Sequence, residues 1–336
     1  MQAFQVSGSD PDMTVRPAKN FFPHPHLYSN FRLHGTLRSL ALAVLCLFAW
    51  LTATAPAFAA DTSKAPQRII SMSPSITEFL FELGVGDRVV GVTSFCVHPQ
   101  EACRLPKIGS LLHPSLERWI TLNPDLVIHQ ATSHTLKDNA LNLGIQTLAV
   151  EMQSLASIYE SVRKMGKVLH CEDAAERLIT RLQSGIDHYR QKLKNHPRKS
   201  VLLILGDTDA PGRSLYAVSR IAFLGELLEL AGGANIVADT VAPYPKINKE
   251  YIIDQSPQVI IEAGPASNMS AGEKSARLRE WGRFSTIRAV STGNVHFIGA
   301  DYILIPGPRL LNILDDFARV LHPDLFSAPS DSPGKG

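Results

Sequence analysis

The chain has 336 residues, 45% hydrophobic and 7% aromatic, with a formal net charge of +2. That length accommodates two domains, and a mean hydropathy of +0.02 describes a globular chain. So small a charge, carried by scattered Lys and Arg, excludes the basic face that nonspecific nucleic-acid binding needs.

The first feature along the chain is an apolar run, Ser39–Ala53, preceded by Arg32 and Arg38 and followed by Ala57-Phe58-Ala59. A positive flank, a short apolar core and a small-x-small site are the three parts of a secretory signal peptide. The run is shorter than the ~20 residues that span a bilayer comfortably. Residues 1–59 are therefore expected to be a leader with an extended N-terminal region, Met13 is a candidate start, and an uncleaved anchor stays open. Cys46 falls inside the apolar core, after the bulky Leu45. Export leaves Cys96, Cys103 and Cys171 in an oxidising compartment. Cys96 and Cys103 are close enough in sequence to form a small-loop disulfide; three unpaired thiols are the alternative.

From Gln67 onward, short aliphatic strands alternate with helices. Arg68–Met72 reads as a strand and Pro74–Leu83 as a helix, with Ile76, Phe79, Leu80 and Leu83 on one face. Strands follow at Val89–Thr93, Leu126–Ile128 and Thr147–Val150, with helices at Leu116–Leu122 and Leu136–Leu143. That alternation predicts a parallel sheet covered on both faces. Leu155–Asn195 has few helix breakers and reads as two helices with a break near His170–Asp173, a stiff connection between lobes. A second lobe opens with the buried strand at Ser200, continues through a helix at Phe223–Leu230 and a strand at Val295–Ile298, and closes with a helix from Pro308 to Leu321. The expected divisions are a first lobe at 67–153, linking helices at 154–196, a second lobe at 198–323 and a disordered tail at 324–336.

One short unit occurs twice. Residues 115–128 read SLERWITLNPDLVI and residues 248–261 read NKEYIIDQSPQVII, at a separation of 133 residues. Each copy begins with a capping residue (Ser115, Asn248), places a glutamate in the first turn (Glu117, Glu250), turns at a proline and enters a strand. A repeated helix–strand unit predicts two related lobes. An acid in the first turn stabilises a helix by ~0.3–1 kcal/mol and needs no other role. The matched placement in both lobes, however, suits a two-fold symmetric partner that offers arginines to each carboxylate.

The segments SMSPSITEFLFELGVGDRVVGVTSFCVHP, LPKIG, SLERWITLNPDLVI, FLGELLELAGGANI, PYPKINKEYI and PGPRLL together resemble the periplasmic substrate-binding proteins of cobalamin and iron–siderophore ABC importers. The resemblance runs from about Arg68 to Pro323. It implies an α/β fold of two Rossmann-like lobes with parallel-rich sheets, joined by a single long rigid helix. It implies a periplasmic protein that is no enzyme, holds no resident cofactor, and carries a metal chelate to the permease dimer of an ABC importer. The chelate is expected to be a corrinoid, with a ferric siderophore or haem as the alternative. Glu117 and Glu250 match the permease-docking glutamates. Ser73, Pro74, Phe95, Cys96, His98 and Leu111 in the first lobe, and Tyr216, Tyr244, Asp301, Tyr302 and Arg309 in the second, are the ligand-binding candidates. Leu111-Leu112 and Tyr244 stand where a known cobalamin binder has tryptophans, which leaves the ligand open. A monomer with no nucleic-acid partner is expected.

Other constellations are weaker. Cys96, His98 and His113 carry donor types that could meet a metal. Asp207 and Asp209 could bind a cation or simply cap a loop. Arg309 could meet an anionic ligand group or tie the last helix to the sheet. Gly84-x-Gly86 follows a helix and lacks a third glycine, so it is no dinucleotide fingerprint. Trp119 reads as core. No nucleophile elbow or HExxH motif supports the rival reading of an exported chelatase-like enzyme. A ligand sensor coupled to a membrane receptor is a further alternative.

Overall fold

The computed structural model describes residues 64–206, 215–237, 242–265 and 270–326, all within one compact unit. The expected leader, Asp207 and Asp209, and the tail beyond 326 lie outside the described residues.

The first lobe comprises β1 (Ile69–Ser71), α1 (Pro74–Glu82), β2 (Val89–Val92), α2 (Gln100–Cys103), α3 (Leu116–Leu122), β3 (Leu126–Gln130), α4 (His134–Asn142) and β4 (Gln146–Val150). Its sheet is parallel, in the order β2-β1-β3-β4. Two helices follow, α5 (Leu155–Leu169) and α6 (Glu172–Leu193). The second lobe holds β5 (Lys199–Leu205), β6 (Leu215–Tyr216), α7 (Phe223–Leu230), β7 (Gly233–Asn235), β8 (Lys246–Ile247) and α8 (Lys249–Gln255). It continues with β9 (Val259–Gly264), α9 (Ala271–Gly282), α10 (Arg288–Ser291), β10 (Val295–Gly299) and α11 (Leu310–Leu321). Its main sheet, also parallel, runs β10-β9-β5-β7, and β6 and β8 form an antiparallel ribbon. All six residues of β9 are buried, as a strand covered by helices on both faces requires.

The repeated unit is repeated in atomic detail. α3 and α8 both end in a left-handed residue, Asn123 (φ 43°) and Ser256 (φ 38°), ahead of the prolines. The residue after each proline then accepts backbone hydrogens from the start of the neighbouring strand: Asp125 from Gln67 N at 2.7 Å, and Gln258 from Ser200 N at 2.9 Å. Each helix buries one residue, Trp119 in α3 and Ile252 in α8, two positions past its glutamate. The caps differ. Asn248 accepts from Tyr251 N at 2.9 Å, whereas Ser115 makes no side-chain capping bond.

The two helices lie where the residues placed them, with the break inside the expected His170–Asp173. The chain breaks at His170, which adopts φ 55°, and Cys171 N closes the end of α5 on Gly166 O at 2.8 Å. Gly166 permits the tight elbow, because a Cβ there would come within 2.7 Å of the Ala175 Cβ. The two helices nevertheless brace both lobes. At the start of α5, Leu155 N donates to Glu226 Oε2 of α7 at 3.0 Å; at its end, Leu169 O accepts from Arg88 of the first lobe at 2.9 Å. On α6, Arg181 pairs with Glu82 of α1, and Tyr189 donates to Asp315 of α11 at 2.6 Å. One hydrophobic cluster runs from Phe79 and Leu80 through Met165 and Leu178 to Phe223 and Phe317. A core shared this way resists hinge motion, since opening the lobes would expose it to water.

Candidate ligand cleft and docking helices

In each main sheet the chain leaves a central strand first to one side and then to the other: β1 lies between β2 and β3, and β5 between β7 and β9. Ligands of open parallel sheets bind beyond the carboxyl ends of strands at such reversals. Two hollows are lined by residues of both lobes. The first, about 330 Å³, is lined by Gln130 at the end of β3, by Glu151, Met152 and Gln153 beyond β4, and by Phe223, Tyr244 and Pro306 from the second lobe. The second, about 580 Å³, is lined by Glu78, Glu82, His98 and Glu101 on one side and by Arg181 and Arg309 on the other. The loop between β10 and α11 contributes Pro306 to the first and Arg309 to the second.

Tyr244 and Tyr216 are carried on paired segments of the ribbon, where Tyr216 faces Lys246 and Ala217 N donates to Pro245 O at 2.9 Å. Tyr244 is 38% exposed, yet burial of its hydroxyl raises its pKa. Tyr302 turns toward α11 and donates to Asp316 Oδ2 at 2.9 Å; burial and that bond push its pKa up to about 12. Asp301 accepts from Arg309 Nη1 at 2.8 Å.

On the first lobe, Ser73 caps α1 by accepting from Ile76 N, and Pro74 is its first residue. Phe95 (66% exposed) and Leu111 (38%) are large apolar side chains on neighbouring loops, joined where Ser94 N meets Gly109 O at 2.9 Å. His98 is exposed and lines the charged hollow.

The expected disulfide is corrected: Cys96, Cys103 and Cys171 are all free. Cys96 turns into the core, with Sγ 3.1 Å from both Thr77 Oγ1 and Thr93 Oγ1. Cys103 is exposed, its thiol on Val97 O at 3.1 Å. The loop is held instead by Lys107, whose ammonium bonds Cys96 O at 3.0 Å and Ala102 O at 3.1 Å. Among the described residues, no group of three or more His, Cys, Asp or Glu is placed to hold a metal ion.

Arg309 is held on three sides. Its Nε donates to Glu78 Oε2 at 2.9 Å and its Nη2 to Glu78 Oε1 at 2.6 Å, a bidentate fork, while Nη1 takes Asp301. Glu78 belongs to the first lobe and is almost fully buried. Arg181, the other arginine of the charged hollow, is likewise paired, with Glu82. Sequence reading missed Gln130, Met152, Phe223 and Glu78. Gln130 is the last residue of β3 and Met152 lies two residues past β4, so both could have been found from strand ends alone; Glu78 carried no signal, because its partner lies 231 residues away.

Glu117 and Glu250 are both exposed in the first turns of α3 and α8. Among the described residues, neither side chain makes a hydrogen bond or ion pair.

Comparison with known proteins places this geometry. An ABC transporter substrate-binding lipoprotein of Bacillus subtilis is 28% identical over 271 residues, covering 78% of this chain and 82% of the relative. The vitamin B12-binding protein of Pectobacterium atrosepticum is 25% identical over 270 residues, covering 80% and 92%. The crystal structure of a periplasmic heme-binding protein from Pseudomonas aeruginosa shares the fold, with a TM-score of 0.66 at 23% identity over 79% of this chain and 94% of that one. The model of the periplasmic binding protein family matches residues 69–302, and the chain belongs to that family.

Proposed function

We propose that this chain is an exported binding protein that holds a corrinoid between its lobes and delivers it to the permease of an ABC importer. The observation that carries the corrinoid reading is the charge of the lining. The smaller hollow offers aromatic and apolar faces with the amides of Gln130 and Gln153, one carboxylate at Glu151, and no Lys or Arg among its described residues. The arginines of the larger hollow are each paired with a carboxylate. A corrinoid presents a flat macrocycle fringed with neutral amides, which such a lining can solvate; haem brings two propionates and catecholate siderophores bring more negative charge, which it cannot neutralise. The B12-binding relative supports the same ligand class.

Binding by a braced cleft relies on preorganisation, because little ordering is left to be done when the ligand arrives. Release then falls to the permease, which engages Glu117 and Glu250 and prises the lobes apart. The protein acts as a monomer outside the cytoplasm and performs no chemistry on its cargo. Titration calorimetry with cyanocobalamin and hemin tests the reading. Cyanocobalamin should bind with one site per chain and at least tenfold more tightly than hemin, and a preference for hemin would overturn it.

A further inference from the structure

We infer that Glu78 is a specificity-determining residue: by occupying Arg309 from the opposite lobe, it sets the cleft against anionic ligands. The inference rests on the cleft reading above and adds a residue that no sequence pattern singled out. Arg309 is the cation that the β10–α11 loop presents to the larger hollow, and its guanidinium is only 16% exposed. Left unpaired, a partly desolvated guanidinium would be a strong receptor for carboxylate or phosphate, because its planar fork matches both. Glu78 fills that fork with two bonds, 2.9 and 2.6 Å long, and Asp301 takes the remaining face at 2.8 Å. Two carboxylates on one guanidinium leave the cluster with a net negative charge. An incoming anion would have to displace a buried carboxylate that cannot swing into water, since Glu78 is fixed in the middle of α1 and packed beside Gly307. A neutral ligand meets no such barrier.

The consequence can be read as a change of preference rather than a loss of binding. Glu78→Gln keeps the side-chain shape and one acceptor for Arg309 while removing the charge. Asp301→Asn does the same on the half-exposed side, where folding is not at stake. Both variants should raise hemin affinity relative to cyanocobalamin, Glu78→Gln on the order of tenfold and Asp301→Asn by less, and the gain should shrink at high salt. A second measurement needs no chelate: inorganic pyrophosphate should raise the melting temperature of both variants and leave the native protein unchanged, because only in the variants does the cluster around Arg309 lose its net negative charge. An unchanged hemin-to-cyanocobalamin ratio together with no pyrophosphate effect in either variant overturns the inference. A native protein that prefers hemin would sink the corrinoid reading alone, since the shift on substitution would still be measurable.

Discussion

Replacing both Glu117 and Glu250 by arginine should abolish delivery while leaving capture intact, and the size of each effect follows from where the two side chains stand. Both are exposed and, among the described residues, unpaired. Their loss therefore costs the fold only the favourable interaction of a first-turn acid with its helix, about 0.3–1 kcal/mol each and at most a few kcal/mol for the double reversal. Neither residue lines either hollow, so ligand affinity should be unchanged. Docking is another matter. Removing one partner of a buried carboxylate–guanidinium contact costs about 2–5 kcal/mol. At about 1.4 kcal/mol per tenfold, each site alone should weaken the complex by at least ~30-fold, and reversal adds repulsion. The assay pairs calorimetric ligand binding with uptake of labelled ligand in cells that depend on the variant protein. Normal uptake by the double variant, or ligand affinity that falls along with uptake, would refute the reasoning.

Three further outcomes follow from the packing and ionisation. Trp119→Ala removes the single buried anchor of α3 and should cost about 3–5 kcal/mol, read as a lower denaturant midpoint; a change below 1 kcal/mol would mean that the helix is held some other way. Burial lowers the pKa of His322, His129 and His296 below 6.5, so the folded chain resists protons that the unfolded chain accepts. Stability should be complete above pH 6.5 and fall as pH drops below it. Glu226, raised above 4.5 by burial, acts with the opposite sign, so the measurement is a comparison. His322 Nε2 is buried without a partner, and His322→Gln should flatten the acid slope of the urea midpoint; an identical slope removes His322 from the explanation. Without reductant, an unfolded chain beginning at residue 60 should titrate three thiols, with Cys103 alone reacting fast in the native state, and a single reactive thiol would restore the disulfide.

Much of the fold was legible because strands buried on both faces announce themselves. Val201–Ile204 and Val259–Ile261 can be nothing else, and the twin units around Glu117 and Glu250 gave away the two-lobed plan. The ribbon was not legible, since two residues per strand cannot display alternation. α9 was missed because it buries only Trp281, although Ser270 and Glu273 cap it reciprocally and the S-x-x-E spacing was there to be read. For the site, aromatic residues such as Tyr244 suggested themselves by type. The ion pair of Glu78 and Arg309 did not, because it exists only once the two lobes meet.

The central claim is that a neutral corrinoid occupies the gap between the lobes. Native mass spectrometry of the protein beginning at residue 60, offered equimolar cyanocobalamin, hemin and a ferric catecholate, tests it most directly. One cyanocobalamin per chain, lost on neither dilution nor added salt, is the predicted result. Retention of hemin or the siderophore in its place would contradict it.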